Sequence, residues 1–225
     1  MGVKVKQSRR LLAGIFAVTV AIFSFGISAQ ASFAASSSTM SKCTKTTATG
    51  HDPIPVATPD ATQVPVDRTF TLNTNCGQIV FKAFGHKAPI TVIAMTALAK
   101  AGYFDHSLCH RLTTAGFFVL QCGDPSATGR GVPPFYYQSE NLPTTTTNDY
   151  PAGTVAMANR GVAYSTGSQF FIVYKDTTLP PTYSIWGMVT KGLDIVKNVA
   201  AAGVVGGGTD GKPKMAIAID SVIVK

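Results

Sequence analysis

The feature that most constrains this fold is a pair of short strands of small apolar residues, Val155–Ala158 and Gln169–Val173, around a loop rich in glycine and serine. Asn159 and Gln169 lie at the edges of this loop, beside the pair Phe170–Phe171. Burying an amide without partners costs on the order of 1–3 kcal/mol, so a strand wholly inside a core would not carry Asn or Gln. The stretch therefore indicates a groove for a ligand that is half apolar and half peptide-like.

The N-terminal residues have the layout of an export signal. Four basic residues within the first ten precede an uncharged run, Leu11–Ala29, and the small-residue site Ala29-Gln30-Ala31. The pattern predicts a signal peptide at residues 1–31, and retention of the apolar run as an N-terminal membrane anchor is the alternative. Ser8-Arg9-Arg10 leaves twin-arginine export open. We therefore expect an exported protein, either secreted or associated with the cell envelope.

The positive charge of the chain belongs partly to this signal. The formal net charge is +8, and removal of residues 1–31, with four basic and no acidic residues, lowers it to +4. No stripe of Lys and Arg interleaves with aromatic residues, so the composition gives no case for nucleic-acid binding.

A change of composition near residue 64 divides the remaining chain. Residues 32–64 are rich in Ser, Thr, Ala and Pro. They predict a flexible segment, because so few apolar side chains cannot offset the entropy lost on ordering. Residues 65–225 are long enough for one domain with a hydrophobic core.

The pattern of residues 65–225 predicts a mainly β domain. The alternating segments Val66–Asn73 and Gln78–Phe84 predict a hairpin, and Pro89 opens a helix that Gly102 ends. The later patterns predict strands near Ser107–Leu112, Phe117–Cys122, Tyr183–Val189 and Ala216–Val224, and a short helix near Asp194–Ala200. Roughly eight short strands and two helices predict a closed antiparallel barrel capped by the helices.

All four cysteines, Cys43, Cys76, Cys109 and Cys122, follow the predicted signal. An even number in an oxidising compartment allows two disulfides, with three possible pairings. Cys109 and Cys122 lie on strands that we expect to be neighbours, so they are a possible pair, with free buried cysteines as the alternative. Cys76 at the hairpin tip would then pair with Cys43.

Metal and cofactor motifs give no positive signal. The C-x-x-C spacing of zinc sites does not occur, so no metal site is predicted. Gly206–Gly211 formally fits G-x-G-x-x-G, but it precedes a strand instead of opening a helix, so no dinucleotide is expected there.

A series of motifs runs in order along the predicted domain. It consists of Phe104-Asp105, His110-Arg111, Phe118-x-x-Gln121-x-Gly123-Asp124-Pro125, Gly129-x-Gly131, Met157-Ala158-Asn159-x-Gly161 and Gly167-Ser168-Gln169-Phe170-Phe171. Together these motifs resemble the cyclophilin family of peptidyl-prolyl cis-trans isomerases, over the whole of the domain. The resemblance implies an eight-stranded barrel with two helices and an exported, actinobacterial-like isomerase. It also implies a monomer without cofactor or metal, whose substrates are proline-containing polypeptides during the folding of exported proteins.

The resemblance also implies roles for individual residues. Arg111 corresponds to the catalytic arginine, with Phe118 and Gln121 beside it. The residues implied to bind substrate are Val119, Ala158, Asn159, Gln169, Phe171, Leu179 and Tyr183. The segment before Phe118 is longer than the family pattern, so Phe118 is chosen over Phe117 by its spacing to Gln121.

Two further expectations concern ligands. Thr178 stands where the family has an aromatic residue on the pocket rim, which predicts weak binding of cyclosporin-type macrocycles with isomerase activity kept. The alternative function is a non-catalytic module that binds proline-containing segments, and the presence of Arg111 argues against it.

Overall fold

The computed structural model describes Gly2, residues 43–60 and residues 62–225. These residues contain ten short strands, two α-helices and a short 3-10 helix, Val205–Gly207. The strands are β1 Arg68–Thr74, β2 Gly77–Ala83, β3 Ser107–Leu108, β4 Arg111–Thr113, β5 Val119–Cys122, β6 Thr154–Met157, β7 Phe170–Val173, β8 Ile185–Lys191, β9 Asp210–Gly211 and β10 Ala218–Val224. The helices are α1 Pro89–Lys100 and α2 Leu193–Ala202. Apart from Gly2, the predicted signal at residues 1–31 lies outside the described residues. Within the described part, neither helix has the length and apolar character needed to span a bilayer.

The local signals of the sequence position α1 and the first hairpin. Pro89 occupies the first turn of α1. A backbone N–H at this position has no acceptor within the helix, so proline costs no hydrogen bond there. Gly102 follows the helix with a φ of +73°, and the N–H of Tyr103 then donates to the carbonyl oxygen of Leu98 over 3.0 Å. The predicted helix and the predicted β1–β2 hairpin are both confirmed.

The sheet closes on itself through the segment Ser107–Thr113. The hydrogen-bonded order of the strands is β3-β10-β1-β2-β8-β6-β7-β5-β4-β9. β3 and β4 belong to one interrupted strand, which pairs with β10 through its first part and with β5 through its second. β9 and β10 form a second interrupted strand beside it. Ten short strands therefore follow eight paths around a barrel, and the predicted fold class is confirmed.

Aromatic side chains fill the barrel interior. The Trp186 side chain is fully buried and meets the rings of Phe70, Phe81 and Phe170 edge-on, at centroid distances of 5.2, 5.0 and 6.1 Å. Edge-to-face contacts of this kind add to the free energy gained by burying the rings.

Two disulfides cross-link the domain, one beside the paired strands β4 and β5 and one between the first hairpin and the segment before it. Cys109, just before β4, is bonded to Cys122 at the end of β5, and Cys43 is bonded to Cys76 in the first hairpin. Residues 43–60 carry no helix or strand, but they are joined to the barrel by the Cys43 disulfide and by hydrogen bonds. The flexibility expected of residues 32–64 stays a prediction.

Replacing Cys109 and Cys122 by Ala should lower the free energy of unfolding by about 3 kcal/mol, because the bridge closes a short loop in the unfolded chain. Urea denaturation monitored by Trp186 fluorescence measures the change. Mass mapping without reductant checks the pairing, and an unchanged midpoint in the double variant would contradict a stabilising bridge.

Candidate active site

Alternation along β5, β6 and β7 creates a second apolar cluster on the outside of the barrel. Successive side chains of a strand point to opposite faces of the sheet. Leu120, Phe170 and Ile172 belong to the barrel core, whereas their neighbours Val119 and Phe171 face outward. The outer cluster consists of the buried residues Val119, Tyr150, Ala156, Phe171 and Val173, with Phe117, Ala158, Leu179, Tyr183 and Ile185 packed against them.

A row of directly opposed residues crosses this outer face. Arg111 on β4 pairs with Gln121 on β5, Gln121 pairs with Phe171 on β7, and Phe171 pairs with Ala156 on β6. Adjacent strands lie about 4.8 Å apart, so the row places a cation, an amide and an apolar surface within a short distance. Such a surface can contact an apolar ring at one end and donate hydrogen bonds at the other.

The amide side chains of the row are oriented by a chain of hydrogen bonds. Nη1 of Arg111 donates to Oε1 of Gln121 over 3.2 Å, and Nε2 of Gln121 donates to Oε1 of Gln169 over 2.8 Å. Nε2 of Gln169 donates to the carbonyl oxygen of Gly129 over 3.2 Å. Each amide therefore has a defined orientation, and the predicted residues Arg111, Gln121 and Gln169 are brought together.

Aromatic residues form one wall of the outer cluster. The rings of Phe171 and Tyr183 meet edge-on at 5.6 Å, and Tyr150 lies 6.2 Å from each of them. The hydroxyl of Tyr150 accepts a hydrogen bond from the N–H of Tyr183 over 3.1 Å. Burial raises the pKa of Tyr150 to about 12, so its hydroxyl stays neutral. Leu179 is fixed beside this wall by a bond of 3.1 Å from its N–H to Oδ1 of Asp149.

Ala158 and Asn159 border the row directly after the end of β6. The N–H of Ala158 donates to the carbonyl oxygen of Gln169 over 2.9 Å. Nδ2 of Asn159 donates to the carbonyl oxygen of Thr182 over 2.8 Å, and its Oδ1 accepts from the N–H of Gly161 over 3.0 Å. A cleft that both residues line, together with Gln121 and Gln169, continues from the row.

The structure does not bring the predicted residue Phe118 to this site, and its choice over Phe117 stays a prediction. Phe117 packs against the outer cluster, and the Cζ atom of Arg111 lies 5.5 Å from the centre of its ring. Phe118 packs against the barrel core, 6.0 Å from the Tyr174 ring, with the Lys175 ammonium 4.3 Å from its centre. The physical reason is alternation: Phe117 lies two residues before Val119 and shares its face. That periodicity was the signal in the sequence that could have identified Phe117.

Asp210 is a residue of the site that the sequence did not indicate. Its carboxylate forms an ion pair with the Arg111 guanidinium at 2.7 Å. The hydrogen bond with Asp210 raises the pKa of Arg111, and the same bond lowers the pKa of Asp210, so both groups stay charged. A lone acidic residue in a glycine-rich loop, 99 positions from its partner, offers no local pattern that would reveal it.

The family model described as cyclophilin type peptidyl-prolyl cis-trans isomerase/CLD matches residues 69–224 of this chain. The chain belongs to the cyclophilin family. Probable peptidyl-prolyl cis-trans isomerase B of Mycobacterium tuberculosis is 40% identical over 185 residues, which cover 76% of this chain and 59% of that protein. The Mycobacterium leprae protein of the same name is 39% identical over 183 residues, covering 75% and 61%. The chain thus spans about three fifths of these relatives.

Solved cyclophilin structures have the same fold. A cyclophilin type peptidyl-prolyl cis-trans isomerase of Cryptosporidium parvum matches with a TM-score of 0.61 and 25% identity, covering 71% of this chain and 98% of that one. A second structure of that protein, determined in the presence of the dipeptide Ala-Pro, matches with a TM-score of 0.60 and 25% identity over 70% and 98% of the two chains.

Proposed function

We propose that this cyclophilin accelerates the cis–trans rotation of X–Pro peptide bonds at the outer cluster. The observation that carries the proposal is the row Arg111–Gln121–Phe171–Ala156, in which a guanidinium lies beside the apolar side chains of the outer cluster. The names of the mycobacterial relatives and the Ala-Pro dipeptide of the Cryptosporidium structure support the same reaction.

The reaction breaks no covalent bond, so the catalyst has to lower a rotational barrier. Amide resonance sets that barrier at about 18–20 kcal/mol, and uncatalysed rotation takes tens to hundreds of seconds. Twisting the bond localises the lone pair on the prolyl nitrogen. A donor placed at that nitrogen binds the twisted state more strongly than the planar one, which is the condition for catalysis.

Arg111 is the donor in this scheme. Its side chain is 37% exposed, so it borders solvent and can meet a bound peptide. Phe117, Val119, Phe171 and Leu179 would bind the proline ring, because they form the apolar end of the site. No nucleophile is required, since the only change is the twist of the amide.

The neighbouring residues would bind the peptide on either side of the proline. Gln121 orients the guanidinium through its 3.2 Å hydrogen bond. The side-chain amide of Asn159 is already bonded within the protein, so its contact with a substrate would be made by the backbone of Ala158 and Asn159. We propose action as a monomer, as the resemblance to the family implies.

We also propose that the clients are exported polypeptides and that the protein is secreted or attached to the cell envelope. The supporting observations are the N-terminal sequence pattern and the two disulfides, which persist in oxidising compartments.

Arg111→Ala should reduce kcat/KM roughly 10²- to 10³-fold, the usual effect of removing one donor that stabilises a transition state. Exchange NMR on a short X–Pro peptide measures the rate, and circular dichroism checks that the fold is intact. Arg68→Ala, which removes a cation from β1, is the control with matched charge. Unchanged turnover in Arg111→Ala would refute the proposal, and peptide binding without turnover in the unaltered protein would indicate a non-catalytic binding module.

Phe117→Ala and Phe118→Ala form a matched pair. Each removes a phenylalanine ring, one from the outer cluster and the other from beside the barrel core. Phe117→Ala should raise KM and lower kcat/KM for the same peptide, because it removes part of the proline pocket. Phe118→Ala should mainly lower the free energy of unfolding, by less than the ~3–5 kcal/mol of a fully buried Phe. The reverse pattern would restore the original assignment of Phe118.

Cyclosporin should bind weakly, because Thr178 provides no aromatic surface at the pocket rim. Its Oγ1 instead accepts a hydrogen bond from the N–H of Asn148 over 2.9 Å. Titration calorimetry measures the affinity, and Thr178→Trp should increase it. Nanomolar affinity of the unaltered protein would contradict this expectation.

A further inference from the structure

A glycine-rich loop after α2 brings one acidic side chain to the active site. Gly206 and Gly207 have φ angles of 79° and 77°, a left-handed conformation that favours glycine, and the chain reverses there. The N–H of Val205 donates to the carbonyl oxygen of Lys212 over 2.9 Å and closes the base of the loop. Within it lies β9, whose first residue is Asp210.

The pairing of β9 places Asp210 on the same face as Arg111. Asp210 lies opposite Thr113, and Gly211 lies opposite Leu112, in the antiparallel pair with β4. Thr113 is two residues beyond Arg111, so Asp210 and Arg111 are diagonal neighbours on one face. Diagonal neighbours are about 7–8 Å apart at the backbone, which a long side chain can span.

The carboxylate holds the guanidinium through two parallel hydrogen bonds. Nε of Arg111 donates to Oδ1 of Asp210 and Nη2 donates to Oδ2, each over 2.7 Å. This arrangement fixes the plane of the guanidinium as well as its position. The single bond of 3.2 Å to Gln121 would by itself leave the group free to turn about one N–H.

The contacts leave part of the guanidinium available to a ligand. A guanidinium has five N–H donors, and Asp210 and Gln121 accept from three of them. Among the described residues no other side chain forms a hydrogen bond with it, so one N–H on Nη1 and one on Nη2 remain. These are the donors that a bound peptide could use.

Exposure of the ion pair indicates that its main effect is geometric. The side chains of Arg111 and Asp210 are 37% and 51% exposed. Pairs this accessible to water contribute little to the free energy of unfolding, although a bidentate pair still restricts the arginine conformation.

We propose that Asp210 is a positioning residue, which binds the Nε–Nη2 edge of Arg111 and directs the remaining N–H groups toward the prolyl nitrogen of a bound peptide. This inference rests on the proposed role of Arg111 as the donor. Because Asp210 orders the Arg111 side chain before the peptide binds, the conformational entropy of Arg111 is lost on folding and not in the transition state.

The test separates kcat from KM in the isomerisation of an X–Pro peptide by the full protein. Asp210→Ala and Asp210→Asn should lower kcat roughly 10- to 100-fold, the range seen when a supporting group is lost. KM should change less than kcat, because the apolar pocket is untouched. Asp210→Glu should restore part of the activity, and Asp220→Asn on β10 is the matched control.

A double-mutant cycle shows whether Asp210 acts through Arg111. Asp210→Ala should have its full effect in the unaltered protein and little effect in the Arg111→Lys variant, because lysine cannot form the bidentate pair. If Arg111→Ala lowers turnover and Asp210→Ala does not, the positioning role alone is overturned. If Arg111→Ala has no effect, the proposed function fails first. A rise in kcat in Asp210→Ala would also overturn the inference, because the carboxylate would then compete with the peptide.

The Nε–H signal of Arg111 in a nitrogen-15 NMR spectrum supplies a readout of geometry that does not depend on turnover. Slow exchange with water is expected in the unaltered protein and in Asp210→Glu, and fast exchange in Asp210→Asn. Equal exchange rates in all three proteins would contradict a fixed guanidinium.

Discussion

Alternation of side chains across a closed barrel is the constraint on which the rest of the structure depends. Closure gives β5, β6 and β7 one common interior, which Leu120 and Phe170 help to fill, and every second residue must then face outward. The strand pairing aligns Arg111, Gln121 and Phe171 on that outward face. The packing that stabilises the barrel and the row that forms the proposed active site therefore lie on the two faces of the same strands.

The position of Arg111 is supported from several directions. Asp210 binds one edge of its guanidinium, Gln121 accepts from Nη1, and the Phe117 ring lies beside it. The backbone is restrained as well, because the disulfide of Cys109 and Cys122 joins the chain just before β4 to the end of β5. A catalyst of amide rotation benefits from such restraint, because a donor that is already placed need not be ordered in the transition state.

Local signals in the sequence are enough to predict most of the fold and much of the candidate site. Pro89 and Gly102 bound α1 because their backbone preferences are local, and the spaced motifs that resemble cyclophilins identified Arg111, which the register then joins to Gln121. The spacing to Gln121 favoured Phe118, whereas alternation from Val119 puts Phe117 on the outer face. The sequence did not indicate Asp210, because this residue lies 99 positions from Arg111 and meets it only when the barrel closes.

The most direct test of the account is a crystal structure of the protein with a short peptide that contains Ala-Pro. The proline ring should contact Phe117 and Phe171, and Nη1 or Nη2 of Arg111 should lie within hydrogen-bonding distance of the prolyl nitrogen or its neighbouring carbonyl. The bond to Asp210 should persist in the complex. A proline ring bound away from the outer cluster, or a guanidinium turned away from the peptide, would contradict it.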